Sequence, residues 1–348
     1  MARVYLDHNA TTPVRAEARA AMVAAMDVVG NPSSVHAEGR GARMLVERAR
    51  AQVAALVGCK PQQVVFTSSA TEAAALAVAQ KGRHGGVFAA LATEHDCLGV
   101  WSQGEALSGL VAISAANSET GIMREGARVA GSREGFSTVC DITQMAGKMP
   151  VIYEEVTPSY AILSAHKLGG PKGVGALVNF TARDPEPMLR GGGQEMNRRS
   201  GTENIIGIAG FGAAAEAAGA DVAAGRWDEV AYFRSILEKA IASASDQTIF
   251  VGNEAERLPN TSCILTPGWK GETQVMQMDL AGFAISAGSA CSSGKVKASK
   301  VLLAMGYDEA QAASAIRVSL GLGTTIDDVR RFATAWAAKF EKHQMRAA

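Results

Sequence analysis

Residues 160–173 read YAILSAHKLGGPKG, an apolar strand followed at once by a turn of glycine, proline and lysine. The same order, an apolar strand and then a polar turn and a helix, recurs along the chain, and strands are predicted at 64–67, 87–92, 110–115, 138–142, 160–164 and 174–180. Helices are predicted at 15–27 and 37–57, and Ser69 with Glu72 has the spacing of a capping box before an alanine-rich helix. Strands that alternate with helices indicate an α/β fold with a mostly parallel sheet covered on both faces.

The pattern changes in the last third of the chain. Residues 190–202, rich in glycine and arginine, predict a loop, and prolines and glycines after residue 250 punctuate shorter strands. A last amphipathic helix is predicted from its apolar face of Val329, Ala333, Trp336 and Phe340. A domain boundary is therefore expected near residue 250.

Composition excludes several classes of protein. The 348 residues include 34 Lys and Arg against 34 Asp and Glu, so the net charge gives no reason to expect a nucleic-acid or anionic-membrane partner. The apolar run 205–215 is too short to span a bilayer, and the start MARVYLDHNATT lacks the apolar stretch of a secretory signal. We expect a cytoplasmic protein. The five cysteines include no Cys-x-x-Cys pair, and no metal site is expected.

Charged and polar residues follow two of the predicted strands. Lys167 follows strand 160–164 among glycine, proline and apolar residues, which favours an amine kept reactive by partial desolvation, as in a Schiff-base lysine; the alternative is an ordinary turn lysine. Asp141 lies at the end of strand 138–142, where α/β sheets place ligands. It suits the ring nitrogen of pyridoxal phosphate, with Gln144 on the phenolic oxygen; the alternative is a helix or turn cap.

Further polar groups suit a phosphate and a planar ring. Ala70 and Thr71 begin the alanine-rich helix, and N–H groups at a helix start beside a hydroxyl form an anion site, although a capped surface helix has the same residues. Ser164 and His166 are able to donate hydrogen bonds to a phosphate beside them. His95 is able to stack on a planar cofactor, whereas a lone histidine is more often structural.

The order of these segments matches a known arrangement. The cofactor site of class V, fold type I pyridoxal-phosphate enzymes has the same succession of motifs: Ala-Thr-Glu (70–72), Glu-His (94–95), Asp-x-x-Gln (141–144) and Ser-x-His-Lys (164–167). Other motifs resemble the cysteine desulfurase family in particular: NATTP (9–13), GNPSS (30–34) with His36, GGGQE (191–195) and RSGT (199–202). The resemblance runs from about Tyr5 to Gly321.

The segment SAGSACSSG, residues 286–294, resembles the catalytic-cysteine loop of the desulfurase branch in which that loop is long and mobile. Small residues around Cys291 favour an exposed, movable thiol that collects sulfur at the cofactor and delivers it elsewhere. Arg317, in the segment IRVSLG, matches the family's arginine for the substrate carboxylate, and its planar fork suits a bidentate contact. The alternative for Arg317 is a surface ion pair.

The resemblance implies a fold type I transferase and its activity. A large cofactor-binding domain is expected over 15–250, and a smaller α/β domain that carries the cysteine loop over 1–14 and 251–348. The implied enzyme is a homodimer that converts L-cysteine to L-alanine and carries the sulfane sulfur as a persulfide on Cys291. The sulfur would serve iron–sulfur cluster or other sulfur-compound biosynthesis, with an acceptor protein such as an iron–sulfur scaffold as partner.

The resemblance also implies a role for each site residue. Lys167 would bind pyridoxal 5′-phosphate and move the Cα proton of the substrate, and His95 would stack on the ring as a further catalytic residue. Asp141 would pair with the pyridine nitrogen and Gln144 would contact O3′. The phosphate would be held by Ala70, Thr71, Ser164, His166 and, from the neighbouring subunit, Thr202.

The chain departs from the family pattern at a few positions. Ser118 stands where the family pattern Asn-Asn-Glu has its second asparagine, and Lys297 with Ala298 replaces a common Glu-Pro. Two alternatives to a desulfurase follow: a related class V enzyme, either an aminotransferase or a selenocysteine lyase, and a non-catalytic partner protein that binds pyridoxal phosphate. The first would not need Cys291 on a Gly/Ser loop, and the second would not need to retain Lys167 and Asp141 together.

Overall fold

The computed structural model describes residues 3–104, 108–288 and 298–347. The chain divides into two compact units: the large unit comprises Thr12–Ala116 and Arg124–Ala224, and the second unit comprises Met1–Thr11, Asn117–Met123 and Gly225–Ala348. The C-terminal stretch of the second unit thus begins at Gly225, whereas a boundary was expected near residue 250. The reason is a helix at Arg226–Ala244, which packs against the C-terminal helix.

The secondary structure follows the chain in this order. The strands are β1 (Val4–Tyr5), β2 (Val64–Thr67), β3 (Phe88–Ala90), β4 (Gly109–Ser114), β5 (Arg128–Val129), β6 (Phe136–Asp141), β7 (Ile152–Tyr153), β8 (Tyr160–Ser164), β9 (Gly175–Asn179), β10 (Ile249–Phe250), β11 (Thr261–Leu265), β12 (Phe283–Ala284), β13 (Ser286–Ala287) and β14 (Ala315–Ser319). The helices are α1 (Ala16–Met26), α2 (Ala37–Val57), α3 (Ala70–Ala79), α4 (Asp96–Gly99), α5 (Gln194–Asn197), α6 (Ile205–Ala223), α7 (Arg226–Ala244), α8 (Gly271–Leu280), α9 (Lys300–Ala304), α10 (Glu309–Ala313) and α11 (Ile326–Ala347).

The large unit is built on a six-stranded sheet in the order β2-β9-β8-β6-β4-β3. β3, β4, β6 and β8 pair in parallel, and β9 runs antiparallel to both β2 and β8. In this register Asp141 lies opposite Ser114 on one side and Ile162 on the other. The expected α/β fold with a mostly parallel sheet is confirmed, and the carboxyl ends of β4, β6 and β8 meet at one edge.

Helices cover this sheet and account for its apolar strands. Every residue of β8 and β9 is buried, as expected for strands with a helical layer on each face. α3 packs on β8 and β9, while α6 packs against α1 and α2. α6 has the length and hydropathy of a membrane-spanning helix, but 56% of that window is buried within the protein. Packing inside the fold thus accounts for the apolar composition of α6.

The second unit contains the shorter strands expected after residue 250. β10, β11, β14 and β13 form an antiparallel sheet in that order, and β1 pairs in parallel with β12. α8, α9 and α10, which were not predicted, lie between these strands in the chain. The predicted apolar face of the last helix is confirmed, because its four members are all buried: Val329, Ala333, Trp336 and Phe340.

A buried ion pair anchors segment 190–202 of the large unit. Arg50 of α2 donates to both carboxylate oxygens of Glu195 at 2.7 and 2.9 Å, and the two side chains are 3% and 2% exposed. Glu195 also accepts the backbone N–H of Phe66 at 2.9 Å. The turn that carries it is strained, since Glu195, Met196 and Asn197 have positive φ angles of 49°, 60° and 66°. The ion pair therefore holds a loop whose backbone is locally unfavourable.

Removing one partner of this pair should destabilise the large unit strongly. In Arg50→Met the Glu195 carboxylate stays buried without its counter-ion, and we expect a loss of about 3–5 kcal/mol in the free energy of unfolding, measured by denaturant titration. The control is Arg3→Met, which removes an ion pair with Asp279 whose side chains are 58% and 56% exposed and should cost less than about 1 kcal/mol. Equal losses in the two variants would contradict the anchoring role.

Candidate active site

The carboxyl edge of the large-unit sheet collects the residues predicted to hold a cofactor. Asp141 ends β6, and its Oδ1 accepts the N–H of Thr143 at 2.8 Å. Ser164 ends β8, and a 3-10 turn then places Lys167 beyond the strand. Thr12 holds that turn, since its N–H donates to the His166 carbonyl at 2.9 Å and its hydroxyl to the Lys167 carbonyl at 3.1 Å.

The start of α3 has the hydrogen-bonding pattern of an anion site. Ser69 caps the helix, its Oγ accepting the N–H of Glu72 at 3.2 Å. Glu72 accepts the N–H of Ser68 at 2.7 Å, so the expected capping box closes one residue earlier than Ser69. In the described part of the chain the N–H groups of Ala70 and Thr71 donate to no protein acceptor. These two donors at a helix N-terminus are available to a phosphate.

Gly175 allows this helix start to approach the sheet. A Cβ at this position would lie 2.4 Å from the Ser69 carbonyl carbon and 2.7 Å from the Ala70 nitrogen. Gly175 is also the register partner of Ser164, a buried residue with a hydroxyl donor. The glycine thus allows the open N–H groups of α3 to lie near the strand end that carries Ser164. Gly175 was not predicted from the sequence, and it belongs to the same phosphate-binding group of residues.

His166 adds a neutral ring to this group. Burial, together with the positive charges of Lys167 and Lys172, lowers the pKa of His166 to about 4. The imidazole is therefore uncharged near neutral pH and contributes a hydrogen bond, not a positive charge. The cationic groups of this turn are the two lysines.

His95 is held by its own loop and by a buried carboxyl group. It caps α4, with Nδ1 accepting the N–H of Cys97 at 3.1 Å, which leaves Nε2 as the protonated nitrogen of the neutral ring. The preceding Glu94 is buried and accepts the N–H of Ser114 at 2.8 Å and the Ser114 hydroxyl. Burial, and secondarily the charge of Asp141, raises the pKa of Glu94. Glu94 belongs to the Glu-His motif quoted above, but its contact with Ser114 was not predicted; it links the His95 loop to the strand position beside Asp141.

Gln144 lies in the turn after β6 beside a second residue that was missed. Gln144 is 5% exposed and Lys148 is 2% exposed. The Lys148 amine donates to the Gln144 side-chain oxygen at 2.9 Å and to the Gln144 carbonyl at 3.1 Å. The sequence does contain a signal for this contact, because Lys148 follows Gln144 by four positions and has mainly apolar neighbours in the chain.

Thr202 lies at the exposed end of the segment anchored by Glu195. It lines a cavity of about 120 Å³ together with Ser68 and Arg199. Arg199 pairs with Glu72 of α3 at 2.9 Å, so this segment is tied to the helix that carries Ala70 and Thr71. Thr202 and the phosphate-binding start of α3 therefore belong to neighbouring, directly connected segments.

Arg317 belongs to the second unit, which is described by itself. The residue is 4% exposed and donates to Asp7 at 2.9 Å and to the Ser118 carbonyl at 3.0 Å, while its Nε has no partner among the residues that the structure describes. Ser286 donates to the other oxygen of Asp7 at 2.8 Å. The surface ion pair considered as an alternative for Arg317 is wrong, because the guanidinium is buried. Asp7, 310 residues away in sequence, gave no signal as its partner.

Cys291 lies outside the described residues. The four other cysteines are described, and burial raises the pKa of each thiol: Cys59 and Cys263 to about 12, and Cys97 and Cys140 also upward. These thiols are poor nucleophiles near neutral pH.

The large-unit residues fit pyridoxal phosphate in their chemistry. The open N–H groups at the start of α3 suit its phosphate, and a carboxylate at a strand end suits its ring nitrogen. Lys167 offers an amine for a covalent bond to its aldehyde. Within the described ranges, no cluster of three or more His, Cys, Asp or Glu side chains is arranged to hold a metal ion.

Comparisons with known proteins agree with this chemistry. The family model of class-V aminotransferases matches residues 4–109 and 103–332. A cysteine desulfurase from Frankia sp. (strain EuIK1) is 37% identical over 94% of this chain and 88% of its own length. The cysteine desulfurase IscS of Dictyoglomus turgidum is 34% identical over 94% of this chain and 91% of its own. A solved NifS-like protein from Rickettsia africae superposes with a TM-score of 0.84 at 28% identity, covering 97% and 99% of the two chains.

The cradle at Gly175 predicts a specific binding defect. Gly175→Ala should push the start of α3 away and weaken binding of pyridoxal phosphate about 10- to 100-fold, the equivalent of one lost hydrogen bond to a charged group. Absorbance titration of the cofactor measures this affinity. Gly82→Ala is the control, because a Cβ at Gly82 would meet nothing within 4 Å. Unchanged affinity in Gly175→Ala would remove α3 from the phosphate site.

Proposed function

Since this chain belongs to the cysteine desulfurase family of class-V aminotransferases, we propose that its carboxyl-edge residues hold pyridoxal phosphate and that Cys291 receives the sulfur of L-cysteine as a persulfide. The chain is a cysteine desulfurase, which converts L-cysteine to L-alanine. The residue assignments rest on one observation. Asp141, Ser164 and Lys167 meet at the carboxyl edge of the large-unit sheet, beside the start of α3 with its open N–H groups.

The cofactor is held by charge and hydrogen bonding in this proposal. Ala70 and Thr71 donate backbone N–H groups to the phosphate, and Ser164 and the neutral His166 donate from the side chain. The Asp141 carboxylate keeps a proton on the ring nitrogen. When bound, pyridoxal phosphate supplies an electron sink for the bond-breaking steps at the substrate's Cα.

Two residues of the large unit act next to the reacting carbon. Lys167 would hold the cofactor through its amine and would act as the base that takes the proton from Cα of the substrate. His95 stacks on the ring, and its Nδ1 bond to the Cys97 N–H keeps the imidazole in one orientation. Each of these roles uses a side chain whose position is set by the backbone of the turn that carries it.

Arg317 binds the substrate carboxylate in this proposal. Its guanidinium is held by Asp7 and the Ser118 carbonyl, and its buried Nε has no partner in the described part of the chain. A buried donor without a partner is costly, which supports a ligand with acceptor oxygens at this position. Holding the carboxylate fixes the orientation of Cα and of the thiol of the substrate.

Sulfur transfer requires one reactive thiolate. The Cys291 thiolate attacks the substrate sulfur, an S–S bond forms, and the bond between that sulfur and Cβ breaks with its electron pair left on the carbon. Protonation of Cβ, together with return of the proton from Lys167 to Cα, gives L-alanine, and the enzyme keeps the sulfane sulfur as Cys291–S–SH. The raised pKa values of the four described thiols support Cys291 as the nucleophile, since those thiols remain protonated near neutral pH.

The assembly and destination of the sulfur are also part of the proposal. We assign the enzyme to the cytoplasm as a homodimer in which Thr202 of each subunit reaches the phosphate of the other. Its exposed position on the anchored segment 190–202 supports a contact outside its own subunit. The persulfide would pass to an acceptor protein, such as a scaffold for iron–sulfur cluster assembly.

Lys167→Ala should lose the covalent link to the cofactor. Turnover should fall about a thousandfold or more, because both the anchor and the proton carrier are gone. Borohydride reduction followed by peptide mass spectrometry should find pyridoxal phosphate fixed to wild-type protein and to the control Lys172→Ala, which changes the exposed lysine of the same turn. Cofactor still fixed to the chain in Lys167→Ala would show that another lysine forms the bond.

Cys291→Ala tests the sulfur step. The variant should bind pyridoxal phosphate and L-cysteine with near wild-type affinity, since neither contact needs that thiol, and release almost no alanine. Mass spectrometry after incubation with L-cysteine should find one extra sulfur on the wild-type peptide that contains residue 291 and none in the variant. Cys59→Ala, at a half-buried thiol, is the control and should keep both activity and persulfide. A fully active Cys291→Ala protein would overturn the proposed sulfur acceptor.

A further inference from the structure

Lys148 is a buried lysine whose place in the fold the reaction above does not use. It ends the turn that follows β6, where Ala146 N–H donates to the Ile142 carbonyl at 2.8 Å and Lys148 N–H to the Met145 carbonyl at 3.0 Å. These bonds curl the chain back on itself, so that the amine of Lys148 meets Gln144. A lysine that is 2% exposed gives up hydration of its amine, which requires polar contacts in return.

The hydrogen bond between Lys148 and Gln144 identifies which atom of the Gln144 amide is the oxygen and which is the nitrogen. A lysine amine near neutral pH only donates hydrogen bonds, so the Gln144 side-chain atom 2.9 Å from it is the oxygen. A second bond from the same amine to the Gln144 carbonyl, at 3.1 Å, holds the amine in place. Rotating the amide by half a turn would bring its NH₂ group against the amine, donor against donor. The amide therefore has one stable orientation.

We propose that Lys148 is a positioning residue that keeps the NH₂ end of Gln144 directed towards the O3′ oxygen of pyridoxal phosphate. The inference rests on the proposed function, in which Gln144 contacts O3′. A donor facing O3′ stabilises its anionic form. The anion would then hold the proton on the Schiff-base nitrogen, formed with Lys167, less tightly, which would lower the pH at which that proton is lost.

The same turn is packed against the residue that follows Lys167. Gly147 has a φ of 76°, and a Cβ there would lie 3.0 Å from the Cβ of Leu168 and 2.9 Å from the Cβ of Ala218. This close packing leaves little freedom for the turn to move relative to the lysine turn. Lys148 therefore fixes the orientation of the Gln144 amide relative to the turn that carries Lys167.

A double-mutant cycle on the cofactor-loaded enzyme tests the inference. The four proteins are wild type, Lys148→Met, Gln144→Ala and the double variant, and visible absorbance against pH reports protonation of the Schiff base. Lys148→Met should raise the midpoint by about half to one pH unit, because the amide is free to turn its oxygen towards O3′. In the Gln144→Ala background the same change should have almost no effect. The titratable groups of the site, Asp141, Glu94 and His166 among them, are common to all four proteins.

Each other outcome contradicts the inference in a distinct way. An unchanged midpoint in Lys148→Met, with a shifted one in Gln144→Ala, would leave Gln144 on O3′ and remove Lys148 from its support. Equal shifts in both backgrounds would mean that Lys148 acts through its charge alone. An unchanged midpoint in Gln144→Ala would instead contradict the proposed function at this residue.

Two further variants keep the test independent of folding. Lys148→Arg retains a side chain that only donates, so its titration should match wild type even if Lys148→Met folds poorly; a shifted midpoint in Lys148→Arg would overturn the inference. Lys239→Met changes an exposed lysine on α7 and should leave the midpoint unchanged. Thermal unfolding of each protein, followed by circular dichroism, separates a loss of fold from a change at the cofactor.

Discussion

Parallel hydrogen bonding between β4, β6 and β8 is the constraint on which the site depends. It sets Asp141 level with Ser114 and Ile162, so β4 and β6 end together, β8 continues to Ser164, and the turns that follow share one edge of the sheet. Each turn then carries a different chemical group: a carboxylate and an amide after β6, an amine and an imidazole after β8. Because backbone pairing fixes this arrangement, the side chains need only short-range contacts to take up their orientations.

Local strain and close approach recur where the fold supports this edge. Glu195 and its two successors adopt left-handed backbone angles, and the buried bond to Arg50 offsets that cost. Gly175 lets α3 lie against the sheet more closely than any other residue would allow. The ion pair and the glycine both fix the positions of backbone segments, and neither of them contacts the reacting atoms. The backbone segments that support the site are therefore held by a buried ion pair and by close packing.

Local sequence patterns predicted much of the fold, whereas they did not predict contacts between residues far apart in the chain. Strand 160–164 was predicted to the residue from its apolar run, and the helix predicted at roughly 37–57 was found at Ala37–Val57, with Gly58 as its expected C-terminal stop. The antiparallel direction of β9 was missed, since a buried strand has the same apolar pattern in either direction. Asp7 was missed as the partner of Arg317 because nothing near it in sequence indicates a contact so far along the chain. The roles of the cofactor-site residues came from their order in the chain, and remain predictions.

The second unit is assembled from three separated stretches, Met1–Thr11, Asn117–Met123 and Gly225–Ala348. During synthesis on the ribosome, β1 emerges first but pairs with β12, so it waits until Phe283 has been made. The strands of the large-unit sheet are all complete by Asn179, which allows that sheet to form on the nascent chain earlier. Translation thus leaves β1 without its partner strand until β12 has been made, and pairing the two strands closes a long loop at a cost in entropy.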